Sequence, residues 1–116
     1  METNNPLADI VDSLDIAIWE LDTNYRILKD NRKTREIYGE GVVRDFCYHA
    51  AAGRNDVCPD CPAQVVLNGQ KSGRSQHVRE TNSGKTITID HTATPLRNKA
   101  GQLTGFVVSI IDITHL

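Results

Sequence analysis

The chain has 116 residues, of which 39% are hydrophobic and 24% charged, and its formal charge is −2. This composition is typical of one globular domain, residues 1–116, with a single hydrophobic core. No basic excess indicates nucleic-acid binding, no apolar run approaches the roughly 20 residues of a membrane span, and no secretory signal opens the chain. Three cysteines, an odd number, argue against a disulfide framework and favour the reducing cytoplasm.

The first element, within residues 1–15, is predicted to be an amphipathic helix. Asn5 suits the N-cap position and Pro6 suits the first helical position. Apolar residues then recur at helical spacing and form one stripe: Leu7, Ile10, Val11 and Leu14. The stripe needs a partner, which is either the domain's own sheet or the same helix of a second protomer.

Two short strands are predicted next, at residues 16–22 and 25–30. The segment "NRKTREIYG" then predicts a short helix that is capped by Asn31 and ends near Gly39. After an irregular stretch with a turn of helix in "RDFCYHAAA", the segment "PAQVVLNG" predicts a helix that begins at Pro62.

The last third is rich in β-branched residues and predicts three long strands, "GRSQHVRET", "KTITIDHTATPL" and "GQLTGFVVSIIDIT". In the second of these, alternation places Ile87, Ile89, His91 and Ala93 on one face, which should be the core side. The order of elements predicts an α+β domain, in which a five-stranded antiparallel sheet carries short helices on one face.

This order of elements, at these lengths, resembles a PAS sensor domain over nearly the whole chain. "IVDSLDIAIWELDTNYRIL" resembles the PAS opening, and "NRKTREIYG" resembles the helix that follows the second strand in that family. "TATPLRNKAGQLTGFVVSIIDIT" resembles the closing hairpin with its terminal "DIT". Residues 47–62, "CYHAAAGRNDVCPDCP", resemble an insertion in a subset of bacterial PAS domains with the pattern C-Y…G…C-x-x-C-P.

The resemblance implies a non-catalytic sensory module of a bacterial signalling protein, such as a histidine kinase or a diguanylate cyclase. It implies a core over residues 16–114, homodimerisation through the N-terminal helix and the outer face of the sheet, and a C-terminal output domain. The chain is then expected to be an excised fragment that lacks this output domain, and a very small stand-alone protein is the alternative. The resemblance assigns signal transfer to Asp112 and Thr114. Asp112 is also expected to pair with Arg97 or Lys99 on the preceding hairpin.

The cysteine-rich segment allows three interpretations. Cys58 and Cys61 have the spacing of one zinc clamp, and Cys47 and His49 could complete a set of four ligands. Alternatively, the cysteines form a redox pair, or the segment is an unreactive surface loop with reduced thiols. Zinc is therefore the cofactor considered at this loop.

His91 is the second candidate, because the core side of the sheet lines the ligand cavity in the PAS fold. A neutral core histidine is the alternative interpretation. The resemblance disfavours haem, since the helix "PAQVVLNG" contains no histidine, and disfavours a photoactive flavin, since "RDFCYHAAA" departs from the Asn-Cys-Arg-Phe motif. His77 is expected to be an exposed strand residue.

No catalytic motif is present in the sequence, so an enzyme is not predicted. Three functions remain open at this stage. The first is a sensor that binds a small ligand or responds at the cysteine loop. The second is a thiol-disulfide or metal-binding protein that uses "CPDC". The third is a structural interaction domain whose cavity is filled by its own side chains.

Overall fold

The computed structural model describes residues 6–58, 61–69 and 71–115. Within these ranges, no helix is long and apolar enough to cross a membrane. The described elements are, in chain order, α1 (Pro6–Ser13), β1 (Ala17–Leu21), β2 (Ile27–Asp30), α2 (Arg32–Tyr38), α3 (Cys47–Ala52), α4 (Pro62–Leu67), β3 (Gly73–Glu80), β4 (Thr86–Arg97) and β5 (Leu103–Asp112).

The five strands form one antiparallel sheet in the order β2-β1-β5-β4-β3. The last strand, β5, therefore lies in the centre of the sheet, between β1 and β4. In the register of the sheet, His91 on β4 stands between Ser75 on β3 and Ile110 on β5. The predicted α+β architecture is confirmed, and β3 is an edge strand.

Side chains on one face of the sheet, called here the inner face, form most of the hydrophobic core. The strand period of two explains why β1 alternates strictly between buried and half-buried residues. The helices α2 and α4 cover this face and contribute Ile37, Ala63 and Val66 to the core. The buried apolar residues of the inner face are Ala17, Trp19, Leu21, Ile87, Ile89, Ala93, Phe106, Val108 and Ile110.

A buried asparagine joins the N-terminal half of the domain. The side-chain Oδ1 of Asn31 accepts hydrogen bonds from the backbone N–H groups of Ile18, at 3.0 Å, and Thr34, at 3.1 Å. Its Nδ2 donates to the carbonyl oxygens of Val11, at 3.0 Å, and Ile16, at 2.9 Å. These four backbone bonds satisfy every donor and acceptor of the amide, the Thr34 hydroxyl lies a further 2.9 Å from Oδ1, and Asn31 is only 1% exposed. Asn31 caps α2 as predicted and also ties α1 and β1 to that helix.

Most predicted boundaries lie within two residues of the observed ones. The helix α2 ends before Gly39, where the positive φ of 89° favours glycine, as the sequence predicts. The strand β2 begins at Ile27 and not at residue 25, because Tyr25 has a positive φ of 69° and Arg26 bridges to Phe46 instead. The predicted cap Asn5 lies outside the described residues.

Replacing Asn31 with alanine should lower the free energy of unfolding by at least about 3 kcal/mol, because each buried polar group left without a partner costs about 1–3 kcal/mol. Urea unfolding of the variant and of Asn24→Ala, a control in an exposed turn, measures the difference. The control should change stability by no more than about 0.5 kcal/mol. Equal stabilities of the two variants would contradict the role given to Asn31.

Candidate functional site

A small cavity lies between the inner face of the sheet and the helices α3 and α4. Its volume is about 20 Å³, which is room for about one water molecule. We call it the Cys–His cavity, because all three cysteines and two of the four histidines line it. Its lining residues are Cys47, Tyr48, Ala51, Cys58, Cys61, Pro62, His77, Arg79 and His91.

Two backbone hydrogen bonds position the cysteines. Cys47 is the first residue of α3, and its N–H donates to the carbonyl oxygen of Tyr25 at 2.9 Å, which fixes the start of that helix. Cys61 is the N-cap of α4, and its N–H donates to the carbonyl oxygen of Cys58 at 3.1 Å. Cys47 and Cys61 are each 7% exposed, whereas Cys58 is half-buried. Two of the three cysteines in residues 47–62 are therefore buried in the interior, and the third is half-buried.

Close packing holds α4 against the edge strand. Pro62 is the first residue of α4 and is buried, together with Ala63 and Val66. A Cβ added to Gly73 on β3 would lie 2.0 Å from the carbonyl oxygen of Pro62, a distance that no side chain tolerates. Only glycine at this position allows α4 to approach β3, and this approach closes one side of the Cys–His cavity.

His49 does not line the Cys–His cavity, although the sequence suggested it as a fourth metal ligand. Its side chain is 58% exposed, and its Nδ1 lies 2.7 Å from a carboxylate oxygen of Asp45. Residues two apart on a helix point to different sides, so α3 turns His49 away when it buries Cys47.

The metal set of Cys47, His49, Cys58 and Cys61 gains no support from this arrangement. Among the described residues, no group of three or more His, Cys, Asp or Glu side chains is arranged to hold a metal ion. Zinc binding at the cysteine loop therefore stays a prediction from spacing alone.

Two histidines meet at the sheet side of the cavity. The rings of His77 and His91 lie with their centroids 5.5 Å apart and at 66° to each other. The hydroxyl oxygen of Ser75 lies 2.6 Å from Nε2 of His77. His77 is half-buried, so the expectation that it is an exposed strand residue is wrong. Its place on the inner face follows from the pairing of β3 with β4.

Arg79, which sequence reasoning missed, brings a positive charge to the rim of the same cavity. Its Nε is buried and, within the part of the chain that the structure describes, has no hydrogen-bond partner. Burial raises the pKa of the nearby Tyr38 hydroxyl to about 12, while the positive charge of Arg79 opposes this rise. Alternation along β3 puts His77 and Arg79 on one face, but both faces of this strand are too polar for the sequence to show which one is buried.

Burial also controls the chemistry of Cys47. Desolvation is the largest cause that raises the pKa of its thiol to about 12, and negative charge on the neighbouring Cys61 and Cys58 adds to the effect. Cys61 and Cys58 are therefore near enough to affect the titration of Cys47. At neutral pH, Cys47 is a protonated thiol, which is a poor nucleophile.

The end of β5 forms a second feature of interest. The Oδ1 of Asp112 accepts hydrogen bonds from the hydroxyl group of Thr114 and from its N–H, the latter at 3.0 Å, and these two bonds, the hydroxyl bond most of all, lower the pKa of Asp112. Arg97, an expected partner of Asp112, donates instead to the carbonyl oxygen of Gly101 at 3.1 Å. Asp112 therefore organises the backbone that follows β5.

Comparisons with known proteins identify the fold. No protein-family model matches the sequence, and no curated protein matches it. Solved structures do match. The PAS domain of a Colwellia psychrerythraea protein aligns with a TM-score of 0.73 at 15% identity, over 95% of this chain and 96% of that one. The PAS domain of nitrogen regulation protein NR(II) from Vibrio parahaemolyticus gives 0.71 at 16% identity, over 95% of this chain and all of that one.

A third match is to a larger protein. A dimer of Vibrio cholerae VqmA aligns with a TM-score of 0.74 at 17% identity, over 97% of this chain and 54% of that chain. The family resemblance in the sequence is thus confirmed at the level of the fold, because this chain has the PAS fold. The sequence identities are low, so the similarity shows the architecture alone. The chemistry of the cavity depends on this chain's own residues.

The free energy of unfolding should fall as the pH rises from 9 to 12. In that window the unfolded chain loses the Cys47 proton, since the ordinary pKa is 9.0, while the folded chain keeps it. The folded state then binds more protons, and each such group lowers stability by up to about 1.4 kcal/mol per pH unit. Tyr38, raised from 10.0 to about 12, adds a similar loss above pH 10.

Urea unfolding of the reduced protein at several pH values measures this fall. Cys47→Ala should flatten the decline between pH 9 and 10, whereas Tyr38→Phe, the control, should flatten it only above pH 10. Identical slopes in wild type and Cys47→Ala would show that the Cys47 thiol titrates normally in the fold.

Proposed function

We propose that this chain is a non-catalytic sensory and dimerisation module of a signalling protein. The Cys–His cavity is its input, and the end of β5 is its output. The observation that carries the proposal is that a single strand, β4, contacts both. It places His91 at the cavity, and a few residues earlier it binds the segment that follows β5.

The connection consists of two backbone hydrogen bonds at Thr88. The N–H of Ile113 donates to the carbonyl oxygen of Thr88 at 2.8 Å, and the N–H of Thr88 donates to Oγ1 of Thr114 at 3.0 Å. Asp112 itself stands opposite Ile89 in the register of β4 and β5. A shift of β4 at the cavity would therefore change the bonds that hold Asp112 and Thr114, the residues to which we assign signal transfer.

The likeness to the PAS domain of a nitrogen regulation protein supports a regulatory role for this chain. An output domain such as a histidine kinase or a diguanylate cyclase would then receive the signal from β5. A ligand can bias such a module only if it binds one of two arrangements more tightly than the other.

The size of the Cys–His cavity limits what the input can be. A pocket for a small organic molecule occupies about 300–1,000 Å³, whereas this cavity measures about 20 Å³. The input is therefore chemistry at the thiols, or a ligand that enters only when α4 moves. The same observation favours a second candidate function, a structural interaction domain whose interior is filled by its own side chains.

We propose that the chain forms a homodimer through the exposed apolar face of α1. Leu7 and Ile10 are 69% and 57% exposed. A groove of about 580 Å³ lies on the outer side of the sheet, between α1 and the strands, and is lined by Leu7, Val11, Ile18 and Val107 among others. An apolar stripe beside such a groove suits the same helix of a second copy. The VqmA structure that resembles this chain is itself a dimer.

Replacing His91 with glutamine should change amide hydrogen exchange at Thr88 and Ile113 several-fold, because β4 joins the cavity to the end of β5. Exchange measured by mass spectrometry on the whole chain tests this. His49→Gln, an exposed histidine away from the cavity, is the matched control and should leave both amides unchanged. If amide exchange in the His91→Gln variant changes only in β3 and α4, the result would favour the structural interaction domain.

Leu7→Glu and Ile10→Glu should weaken a homodimer at least tenfold, because each buries a charge in an apolar contact. Sedimentation over a range of concentrations measures the association. Val78→Glu is the control, since this apolar residue is 64% exposed on β3, away from α1. A wild-type chain that stays monomeric at high concentration would refute dimerisation through α1.

A further inference from the structure

A backbone hydrogen bond joins Cys58 to Cys61. Its donor is the N–H of Cys61 and its acceptor is the carbonyl oxygen of Cys58, at 3.1 Å. A hydrogen bond between residues i and i+3 goes with Cα atoms that lie within about 7 Å of each other. Disulfides span Cα separations of about 4.4–6.8 Å. The pair therefore needs little or no backbone movement to form a disulfide.

The two residues of this pair also lie at one cavity. Cys58 and Cys61 both line the Cys–His cavity, so the two residues border a common space. Cys58 is half-buried and can be reached from solvent, whereas Cys61 is 7% exposed. An accessible thiol next to a protected one is the usual arrangement of a thiol that is oxidised first and a thiol that resolves it.

Cys47 is poorly placed to take part. It belongs to a different helix, α3, whose start is tied to Tyr25, and burial raises the pKa of its thiol to about 12. It therefore stays a thiol while its two neighbours react.

We propose that Cys58 and Cys61 are an oxidation site, at which hydrogen peroxide converts the two thiols into a disulfide. The sulfur of Cys58 attacks one oxygen of the peroxide and the O–O bond breaks, which gives a sulfenic acid and one water. The sulfur of Cys61 then attacks that of Cys58, the S–S bond forms, and the hydroxyl group leaves with the Cys61 proton as a second water. Two thiols are oxidised by two electrons and one peroxide is reduced to two waters. A dithiol reductant reverses the change.

This bond would act on the part of the fold that closes the cavity. Cys61 is the N-cap of α4, and the next residue, Pro62, is packed against Gly73 on β3. A covalent link to Cys58 constrains the start of α4 beside His77 and His91. This consequence rests on the proposed sensory function, whose input it identifies as peroxide. The oxidation chemistry itself rests only on the placement of Cys58 and Cys61.

The reduced whole chain is treated with hydrogen peroxide, its remaining thiols are alkylated, and its peptides are mapped by mass spectrometry without reduction. The expected product is one disulfide, between Cys58 and Cys61, with Cys47 alkylated only after unfolding. Cys47→Ser, the matched control, should form the same disulfide at a rate within about twofold of wild type, while Cys58→Ser and Cys61→Ser should form none.

Three results would overturn the proposal: a disulfide that contains Cys47, three thiols that persist in peroxide, or a chain whose three thiols are protected by stoichiometric zinc. The wild-type peptide map decides among them even where a variant fails to fold. If the disulfide forms and the amides of Thr88 and Ile113 do not respond, the oxidation site stands and the sensory function fails. If no disulfide forms but His91→Gln alters those amides, the sensory function stands without this input.

Discussion

The side chain of Asn31 is the interaction on which the rest of the structure depends. A buried amide is costly unless all of its donors and acceptors are satisfied, and here four backbone groups, from α1, the residue before β1, β1 and α2, satisfy it. This fixes where α1 leaves β1 and where α2 begins. The exposed stripe of α1 and the cover that α2 gives to the inner face both follow from it. A single polar residue thus sets both the proposed dimer face and part of the core.

The opposite end of the inner face is organised differently. There the core gives way to polar groups on β3, and α3 and α4 close over them around a space too small for an organic ligand. Burial keeps the Cys47 thiol protonated and unreactive at neutral pH. Cys58, the first thiol of the CxxC pair, is half-buried and can be reached from solvent. Because the central strand β5 lies next to β4, the proposed signal would pass from this end to the last residues of the sheet through one hydrogen-bonded neighbour. The cavity and the end of β5 are close in the fold although they are far apart in the sequence.

The sequence predicts the architecture well because its local signals agree: a helix cap at Asn31, proline at the first position of α4, glycine at the end of α2, and alternation in β4. It predicts the site less well. Spacing alone suggested His49 as a ligand, but a helix places residues two apart on different sides. His77 and Arg79 could not be assigned, since β3 is polar on both faces and only its pairing with β4 shows which face is covered. Zinc binding requires the four ligand side chains to meet at one point, and the spacing of residues in the sequence does not show whether they do.

The central claim is that a change at the Cys–His cavity reaches the end of β5. The most direct test is to compare the backbone amide NMR signals of Thr88, Ile113 and Thr114 in the reduced chain and in the chain after peroxide treatment. The account predicts that these three signals shift together with those of α4 and β3 when the disulfide forms. Signals at Ile113 and Thr114 that stay in place, while those of α4 move, would contradict it.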